Sequence, residues 1–323
     1  MWCDAVFQGG GVKGTGFVGA VIELEAAGYR FENIAGTSAG AIVAALLAVG
    51  YTGTEIRDEL MRVDYKMFLD ARWPVRASRI AKMFNIAFNW GMYRADAFEN
   101  WLTGLLKKKG KLYFRDIRTD SKDERYRYKL QAIASDITRK KVLLLPTDLA
   151  SLGLEPDDFP IATAVRMSMS IPFYFEPYKL QTNDSELIIL DGGLLSNYPV
   201  WILDDGTSNP PIPTFGFKFC AEGTGHGKHH TDNLISFTKS IISTLVSAWD
   251  NRHISDSSGD FARTIQISTE VISHGKQKTV STTDFDISYD EKKQLLENGK
   301  LATRKFLTNW NFEKWKKEYR KGL

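Results

Sequence analysis

Short apolar runs alternate with stretches of helical periodicity along most of the chain. Trp2 to Gln8 and Phe31 to Ala35 are predicted strands, and each runs into glycines and then into apolar residues at helical spacing. Tyr126 to Asp136 and Lys141 to Leu145 are predicted to form a hairpin. This order of elements, which contains no repeat and no low-complexity tract, predicts an α/β fold.

Several helices have recognisable limits in the sequence. Ala39 to Val49 is rich in alanine and leucine and is predicted to form a buried helix. Thr52 to Glu55 forms a capping box that begins another helix. Arg94 to Lys109 is a predicted helix that ends in three lysines, and the tail from Asp290 is predicted to be an amphipathic, basic helix.

The turn between the second strand and its helix reads Gly36-Thr37-Ser38-Ala39-Gly40. This is a G-x-S-x-G nucleophile elbow, a sharp turn that exposes a serine Oγ to a substrate carbonyl. Glycine suits both ends because the turn needs backbone angles and close approaches that a Cβ would forbid. The positive N-terminal end of the helix that follows favours an oxyanion beside the serine. Ser38 is therefore the candidate nucleophile.

A second glycine-rich turn follows the first strand and reads Gly9-Gly10-Gly11-Val12-Lys13-Gly14. Such a turn presents several backbone N–H groups to one anion. A P-loop would have lysine directly after the last glycine, where this chain has Thr15, so a P-loop is excluded. We prefer an oxyanion hole shared with the serine elbow. In this turn Lys13 is expected to contact a phosphate or carboxylate rather than to be only solvated.

A dinucleotide-binding turn is the competing interpretation of the same glycines. Gly9, Gly11 and Gly14 have the required spacing. That fold also needs an acidic residue at the end of the second strand, and here Glu32 lies at the opposite end. The interpretation is therefore disfavoured but stays open.

Asp191-Gly192-Gly193 follows directly on the apolar run of residues 187–190. A carboxylate at the end of a buried strand is a candidate general base for a serine. By itself the segment is explained as well by an ordinary strand-ending turn, because Asp-Gly is common there.

Together these segments resemble the patatin-like phospholipase family. The family combines a G-G-G-x-[KR]-G segment, a G-x-S-x-G elbow, and D-G-G followed by N-x-P, and this chain has them in that order within about residues 3 to 200. The residues that carry the resemblance are Gly9, Gly10, Gly11, Lys13, Gly14, Gly36, Ser38, Gly40, Asp191, Gly192, Gly193, Asn197 and Pro199. A fourth block, Ala164 to Pro172, is also similar, although Met167 stands where relatives usually have a small residue.

The resemblance implies a three-layer α/β/α fold with a central, mostly parallel sheet and helical additions. We expect one domain over residues 1–323, in which residues 201–323 complete or extend the motif-bearing core. The resemblance also implies a serine lipid acyl hydrolase of the phospholipase A type, with a Ser38–Asp191 dyad and an acyl-enzyme. The expected oxyanion donors are backbone N–H groups of Gly9, Gly10, Gly11, Gly14 and Ala39. No metal and no cofactor are expected.

The histidines decide between this dyad and a Ser-Asp-His triad. The five histidines all lie in the polar C-terminal part of the chain. A triad in that order is formally available. An α/β-hydrolase, however, lays down several strands before its elbow, and here the elbow comes after one strand–helix unit. Each histidine is therefore expected to be a surface residue. They are His226, His229, His230, His253 and His274.

Composition bears on location and partners. Forty-two Lys and Arg against 39 Asp and Glu give a net charge of +3, which is too small a bias to suggest nucleic acid as a partner. Cys3 and Cys220 are expected to be reduced, packed thiols. The first strand leaves no room for a signal peptide, and no apolar stretch approaches the ~20 residues of a membrane span. We therefore expect a cytoplasmic enzyme that associates peripherally with membranes when it acts.

Residues 64–95 interleave aromatic and basic side chains and include Trp73, Arg76 and Trp90. Such a stretch is expected to form either a lid and membrane-docking surface or a buried aromatic face with solvated charges, and the sequence favours neither. The lipid substrate would be met at a membrane surface. Some bacterial relatives act only with an activator, and the sequence leaves that requirement and the oligomeric state open. A triacylglycerol lipase or acyltransferase with the same dyad is the alternative function.

Overall fold

A computed structural model describes residues 1–71, 88–204, 206–220 and 259–320. Its centre is an eight-stranded sheet with the order β10-β9-β1-β2-β4-β8-β7, in which β5 also pairs with β4. The strands of this sheet are β1 (Trp2–Phe7), β2 (Arg30–Thr37), β4 (Leu130–Asp136), β5 (Lys141–Leu145), β7 (Tyr178–Gln181), β8 (Glu186–Asp191), β9 (Thr214–Cys220) and β10 (Thr264–Ser268). Two small sheets pair β3 (Gly91–Tyr93) with β6 (Phe173–Phe175) and β11 (Glu270–Ser273) with β12 (Lys276–Thr279).

The five strands from β10 to β4 are parallel to one another, whereas β5, β7 and β8 pair in antiparallel fashion. Helices flank the sheet, so the expected α/β fold with a mostly parallel central sheet is confirmed. The predicted hairpin is formed by β4 and β5. Because β8 runs against β4, the carboxylate at its end reaches the site from the opposite direction to the loops after β1 and β2.

The described residues form seven helices. They are α1 (Thr15–Ala26), α2 (Ala39–Ala48), α3 (Gly53–Arg62), α4 (Asp96–Lys108), α5 (Ile161–Ser168), α6 (Tyr289–Asn309) and α7 (Phe312–Tyr319). The sequence predicts α1 to α4 but not α5, and the predicted tail helix is divided into α6 and α7. The capping box at the start of α3 forms as predicted: Thr52 Oγ1 accepts from the Glu55 N–H, and the Glu55 carboxylate accepts from the Thr52 N–H. Within the described residues, no helix has both the length and the apolar composition needed to span a bilayer.

The two faces of the sheet are covered differently, as the alternation along β1 shows. Ala5 and Phe7 belong to a large core beneath α1 and α2, and Val6 faces a small second cluster. The second cluster is covered by a 3-10 turn at Val200–Leu203 and by tyrosine and aliphatic side chains. Because the strands are buried on both sides, they are apolar almost throughout, as is typical of parallel sheets.

The C-terminal helix α6 packs directly on α1 through glycine contacts. A Cβ on Gly19 would lie 1.9 Å from the Leu296 carbonyl oxygen, and a Cβ on Gly299 would lie 1.9 Å from the Gly16 oxygen. The two backbones therefore approach more closely than larger residues would allow. Leu295 and Leu296 join the same large core as the first strands.

Candidate active site

Ser38 lies at the sharp turn between β2 and α2. Its backbone has φ 53° and ψ −123°, in a region that residues other than glycine seldom adopt. A Cβ on Gly40 would lie 2.4 Å from the Phe7 carbonyl oxygen, and one on Gly36 would lie 2.5 Å from the Gly40 backbone. Both glycines are therefore required by close packing around the turn, as expected for a nucleophile elbow.

Ser168, at the end of α5, holds the elbow in this conformation. Its Oγ accepts a hydrogen bond from the Ser38 N–H at 2.9 Å and donates one to the Ile133 carbonyl oxygen. All three residues are buried. The bond occupies the Ser38 N–H, so this group is not available to a substrate. Ser168 belongs to the Ala164–Pro172 block, but the sequence assigned it no role.

Asp191 reaches the level of Ser38 through the register of the sheet. Thr37 of β2 pairs with Ile133 of β4, and the next residue of β4, Ala134, pairs with Asp191 of β8. Gly192 then passes so close to β4 that a Cβ on it would lie 2.1 Å from the Ile133 oxygen. The structure thus brings the two predicted catalytic residues together from distant parts of the sequence.

The Asp191 carboxylate is buried with few partners. Its Oδ1 accepts the Gly193 N–H at 2.7 Å, whereas Oδ2 accepts no hydrogen bond of normal geometry from any described residue. Burial raises the pKa of Asp191 to about 6, against the opposing effects of the Ser38 hydroxyl and the Gly193 N–H. Ser38 is thus near enough to act on the carboxylate, but their contact is looser than a full hydrogen bond, as is common in catalytic sites without substrate.

The glycine turn after β1 lies beside the elbow. A Cβ on Gly9 would lie 3.4 Å from Ser38 Cβ, and one on Gly14 would lie 3.5 Å from Ala39 Cβ. The Gly9 N–H already donates to the Asn197 carbonyl oxygen at 3.0 Å. No acceptor among the described residues takes the N–H of Gly10, Gly11 or Ala39. These three are therefore the N–H groups free to meet an oxyanion.

Asn197 lies between the glycine turn and the Asp191 turn. A Cβ on Gly9 would lie 2.3 Å from Asn197 Oδ1, and one on Gly193 would lie 2.9 Å from the same atom. Pro199 comes directly before the 3-10 turn that covers the second face of the sheet. The N-x-P segment thus connects the candidate active site with the small hydrophobic cluster on the second face of the sheet.

Ser38 opens into a narrow cavity of about 50 Å³, which has room for only a few water-sized groups. The cavity is lined largely by apolar side chains. Four of its rings pack on one another and form what we call the aromatic wall: Tyr65, Phe68, Phe98 and Trp101. Phe285, from the C-terminal part of the chain, lines the cavity as well.

Lys13 has no ion-pair partner among the described residues. Its Nζ lies 5.0 Å from the centre of the Phe219 ring, and burial lowers its pKa to about 8. Its contact with a phosphate or carboxylate of a bound molecule stays a prediction.

The remaining predicted residues lie away from the dyad or outside the described residues. Trp73 and Arg76 are outside the described ranges, as are four of the five histidines. Trp90 is half exposed, and Lys179 Nζ lies 5.9 Å from the centre of its ring. His274 is exposed at the turn between β11 and β12. The described residues contain no cluster of His, Cys, Asp and Glu that could hold a metal ion.

The C-terminal part contributes contacts to the site that the sequence did not reveal. The Thr282 carbonyl oxygen accepts the Val12 N–H at 3.2 Å, and a Cβ on Gly11 would lie 2.0 Å from that oxygen. Gly11 has φ 56°, so its positive φ and this close approach both favour glycine. Nothing in the residue types around Thr282 indicates this contact with the glycine turn.

Comparison with known families decides what this arrangement is. A family model described as "Patatin-like phospholipase" matches residues 5–204, which include the glycine turn, the elbow and Asp191. The chain belongs to the patatin-like phospholipase family. The resemblance seen in the motifs is thereby confirmed, and the protein is an ester hydrolase.

Individual relatives extend over most of this patatin-like chain. Uncharacterized protein YqhO of Bacillus subtilis (strain 168) is 37% identical over 97% of this chain and 100% of its own length. Probable lipid hydrolase 463L of Invertebrate iridescent virus 6 is 24% identical over 60% of this chain and 61% of its own. VipD from Legionella pneumophila has a similar fold, with a TM-score of 0.53 at 18% identity over 95% of this chain and 66% of VipD.

Proposed function

We propose that this protein is a phospholipase A type enzyme that removes ester-linked fatty acids from membrane phospholipids with a Ser38–Asp191 dyad. The observation that carries the proposal is the position of Ser38, in a strained elbow that opens into an apolar cavity beside a buried, underpartnered carboxylate. The name of the viral relative, Probable lipid hydrolase 463L, supports lipid as the substrate class.

In the first half-reaction Asp191 accepts the proton of the Ser38 hydroxyl while Oγ forms a bond to the acyl carbonyl carbon. The tetrahedral intermediate collapses by breaking the ester C–O bond, and the leaving alkoxide takes the proton from Asp191. Asp191 suits this role because its pKa, raised to about 6, is closer to neutral pH than that of an ordinary carboxylate.

In the second half-reaction water attacks the acyl-enzyme. Asp191 accepts a proton from the water, a new tetrahedral intermediate forms, and the Ser38 oxygen leaves with that proton. The free fatty acid is the product. These steps need proton transfer and oxyanion stabilisation only.

The oxyanion is assigned to the backbone N–H groups of Gly10, Gly11 and Ala39. Ala39 is the first residue of α2, so its N–H has no acceptor within the helix and lies at the positive end of the helix dipole. Loss of one such donor typically costs about 3 kcal/mol of transition-state stabilisation. The bond from Gly9 to Asn197 makes Gly9 a support of the turn rather than a donor.

The cavity favours an acyl substrate over the alternative of a dinucleotide. Its lining is largely apolar, which suits an acyl chain better than the charged phosphates of a dinucleotide. A triacylglycerol lipase or acyltransferase would use the same cavity, and the products distinguish these activities. We also propose that the enzyme takes its substrate from a membrane surface, with Trp90 among the side chains that meet the lipid.

The test is product analysis together with labelling of the nucleophile. Mixed phospholipid vesicles incubated with the wild type should yield free fatty acid and lysophospholipid, detected by mass spectrometry, and Ser38→Ala should yield neither. A fluorophosphonate should add to Ser38 and to no other serine. Adduct on another serine, or wild-type turnover by Ser38→Ala, would overturn the proposal.

A further inference from the structure

The helix α6 places one side chain against Tyr65, a residue that lines the cavity beside Ser38. Lys292 is only 4% exposed, and its Nζ donates to the carbonyl oxygens of Leu60 at 3.1 Å and Val63 at 2.7 Å. These oxygens belong to the C-terminal turn of α3, whose carbonyl groups have no partner within the helix. The lysine thus caps α3 at the point where the chain turns towards the aromatic wall.

The same ammonium group lies against the first ring of the aromatic wall. Lys292 Nζ is 3.8 Å from the centre of the Tyr65 ring, a short cation–π contact. Tyr65 stacks on Phe68, which in turn makes an edge contact with Phe98 and a tilted contact with Trp101. The Tyr65 hydroxyl is bonded to Thr15 Oγ1 at 3.2 Å, so the ring is held at both ends. A continuous path of contacts therefore joins Lys292 to the cavity.

The surroundings of Lys292 are unusual for a simple helix cap. A lysine that caps a helix usually keeps its charge in water, because burial of an unpaired ammonium group costs free energy. Here burial lowers the pKa of Lys292 although the negative charge of Asp64 acts in the opposite direction, and among the described residues no carboxylate comes close enough to form an ion pair with Lys292. The cation is held by carbonyl dipoles and one ring, all of which belong to the segment that forms the cavity wall.

We propose that Lys292 is a positioning residue that fixes the aromatic wall and thereby limits the length of acyl chain that the cavity accepts. This inference rests on the proposed function and specifies its substrate preference. The cavity is only about 50 Å³, so a small displacement of Tyr65 changes how many methylene groups fit behind Ser38. One methylene group gained or lost in an apolar pocket changes selectivity about tenfold or more.

The experiment compares kcat/KM over a series of nitrophenyl esters from butanoate to palmitate, all dispersed in the same detergent. Lys292→Met keeps an unbranched apolar chain but removes the cation, so the wall relaxes outward. We expect the ratio of long-chain to short-chain kcat/KM to rise about tenfold, with cleavage of the shortest ester retained. Lys300→Met is the matched control, because Lys300 lies on the same helix and pairs with Glu297 on the surface. This control should leave the ratio at its wild-type value.

Tyr65→Leu tests the path from Lys292 to the cavity and remains informative if Lys292→Met does not fold. It removes the ring but leaves the lysine its two carbonyl acceptors, and it should raise the same ratio. The double variant should show no further rise, because both changes act through one wall. An unchanged ratio in Tyr65→Leu, or an equal loss on all esters in Lys292→Met, would overturn the inference. Failure of the proposed function has a separate signature, because the wild type would then release no fatty acid from phospholipid vesicles, whatever the ester ratio shows.

Discussion

Two buried carboxylates of this protein have opposite surroundings. Asp191 has a single backbone donor of good geometry, and burial raises its pKa to about 6. Asp204 is also subject to burial, which by itself would raise its pKa, but the charges of Arg263 and Arg320 outweigh that effect and lower it. Both guanidinium groups stack on Trp315, which completes a dense cluster of paired charges.

The difference shows which carboxylate can act as a base. A carboxylate that is paired with two guanidinium groups has a lowered pKa. It therefore stays ionised and has little tendency to accept a proton. A carboxylate that is desolvated and underpartnered binds a proton near neutral pH, as a general base must. We infer that Asp204 stabilises the fold where the C-terminal residues meet β10, and that Asp191 remains able to accept a proton during the reaction.

The largest effect is expected from Asp191→Asn. The amide keeps the shape of the side chain but cannot accept the Ser38 proton, so kcat/KM should fall by several orders of magnitude. Steady-state cleavage of a soluble ester measures the loss. Replacement of all five histidines should cost far less, and a single histidine substitution as severe as Ser38→Ala would replace the dyad with a triad.

Asp204→Asn should do the reverse. It removes the carboxylate that Arg263 and Arg320 share. Arg263 keeps its ion pair with Asp260, but the buried Arg320 keeps none among the described residues, which should lower the free energy of unfolding by about 3–5 kcal/mol. Urea denaturation monitored by tryptophan fluorescence measures the change. Activity of the folded fraction should be unchanged, because the cluster lies at the other end of the sheet strands from Ser38. A loss of kcat/KM in folded protein would show that the two regions are coupled.

The stability of Asp191→Asn provides a further way to distinguish Asp191 from Asp204. The pKa of Asp191 in the folded protein lies above the unfolded value of 3.8, so the folded state disfavours the charged form of this side chain. Asp191 therefore lowers the stability of the fold increasingly as the pH rises from about 4 to about 6. A shift of about two units corresponds to about 3 kcal/mol. The variant should therefore be more stable than the wild type at pH 8, by up to that amount, and equal to it at pH 4. Denaturation curves at both pH values decide the matter, and a destabilised variant at pH 8 would contradict the assignment.

Ser168→Ala is expected to have a smaller effect on the elbow. It leaves the buried Ser38 N–H without its acceptor, at a cost of about 1–3 kcal/mol. If the elbow relaxes to recover a partner, kcat should fall about tenfold to a hundredfold while fluorophosphonate still labels Ser38. Ser168→Thr, which keeps the hydroxyl, should restore most of the activity. Loss of stability with unchanged kcat in the alanine variant would limit Ser168 to a structural role.

The smallest effect concerns the membrane surface. Trp90→Ala should weaken binding to phospholipid vesicles several-fold in a sedimentation assay while cleavage of a soluble ester is spared. Trp2→Ala is the control, because Trp2 is similarly exposed but lies at the start of β1, away from the site. Equal effects of the two substitutions would remove Trp90 from the docking surface.

Much of the site around Ser38 and Asp191 could be predicted from the sequence, because each of its turns is formed by residues that are neighbours in the chain. The elbow consists of five consecutive residues. Its backbone geometry requires glycine at both ends and places the serine between a strand and a helix. The strands β1, β2, β4, β5 and β8 and the helices α1 to α4 were also predictable, because burial on one or both sides imposes a period on the sequence, whereas the short β3, β6, β7 and α5 were not predicted.

The contacts that the sequence did not reveal join distant segments through groups without a signature. Thr282 acts through its backbone oxygen, which every residue possesses. Lys292 lies in a polar helix and cannot be told in the sequence from a lysine on the surface. The antiparallel direction of β8 is likewise a property of pairing rather than of its residues. The position of Lys292 depends on the packing of α6 against α1, which the sequence indicates only through scattered glycines.

The most direct measurement of the central claim is the pH dependence of Ser38 labelling by a fluorophosphonate. Because this reaction needs no lipid, it reports only the nucleophile and its base. For the wild type the labelling rate should be low below pH 5, rise through a single inflection near the Asp191 pKa of about 6, and level off above it. In Asp191→Asn the rate should be low at every pH, with no inflection. Persistence of the same inflection in the variant would mean that another residue is the base.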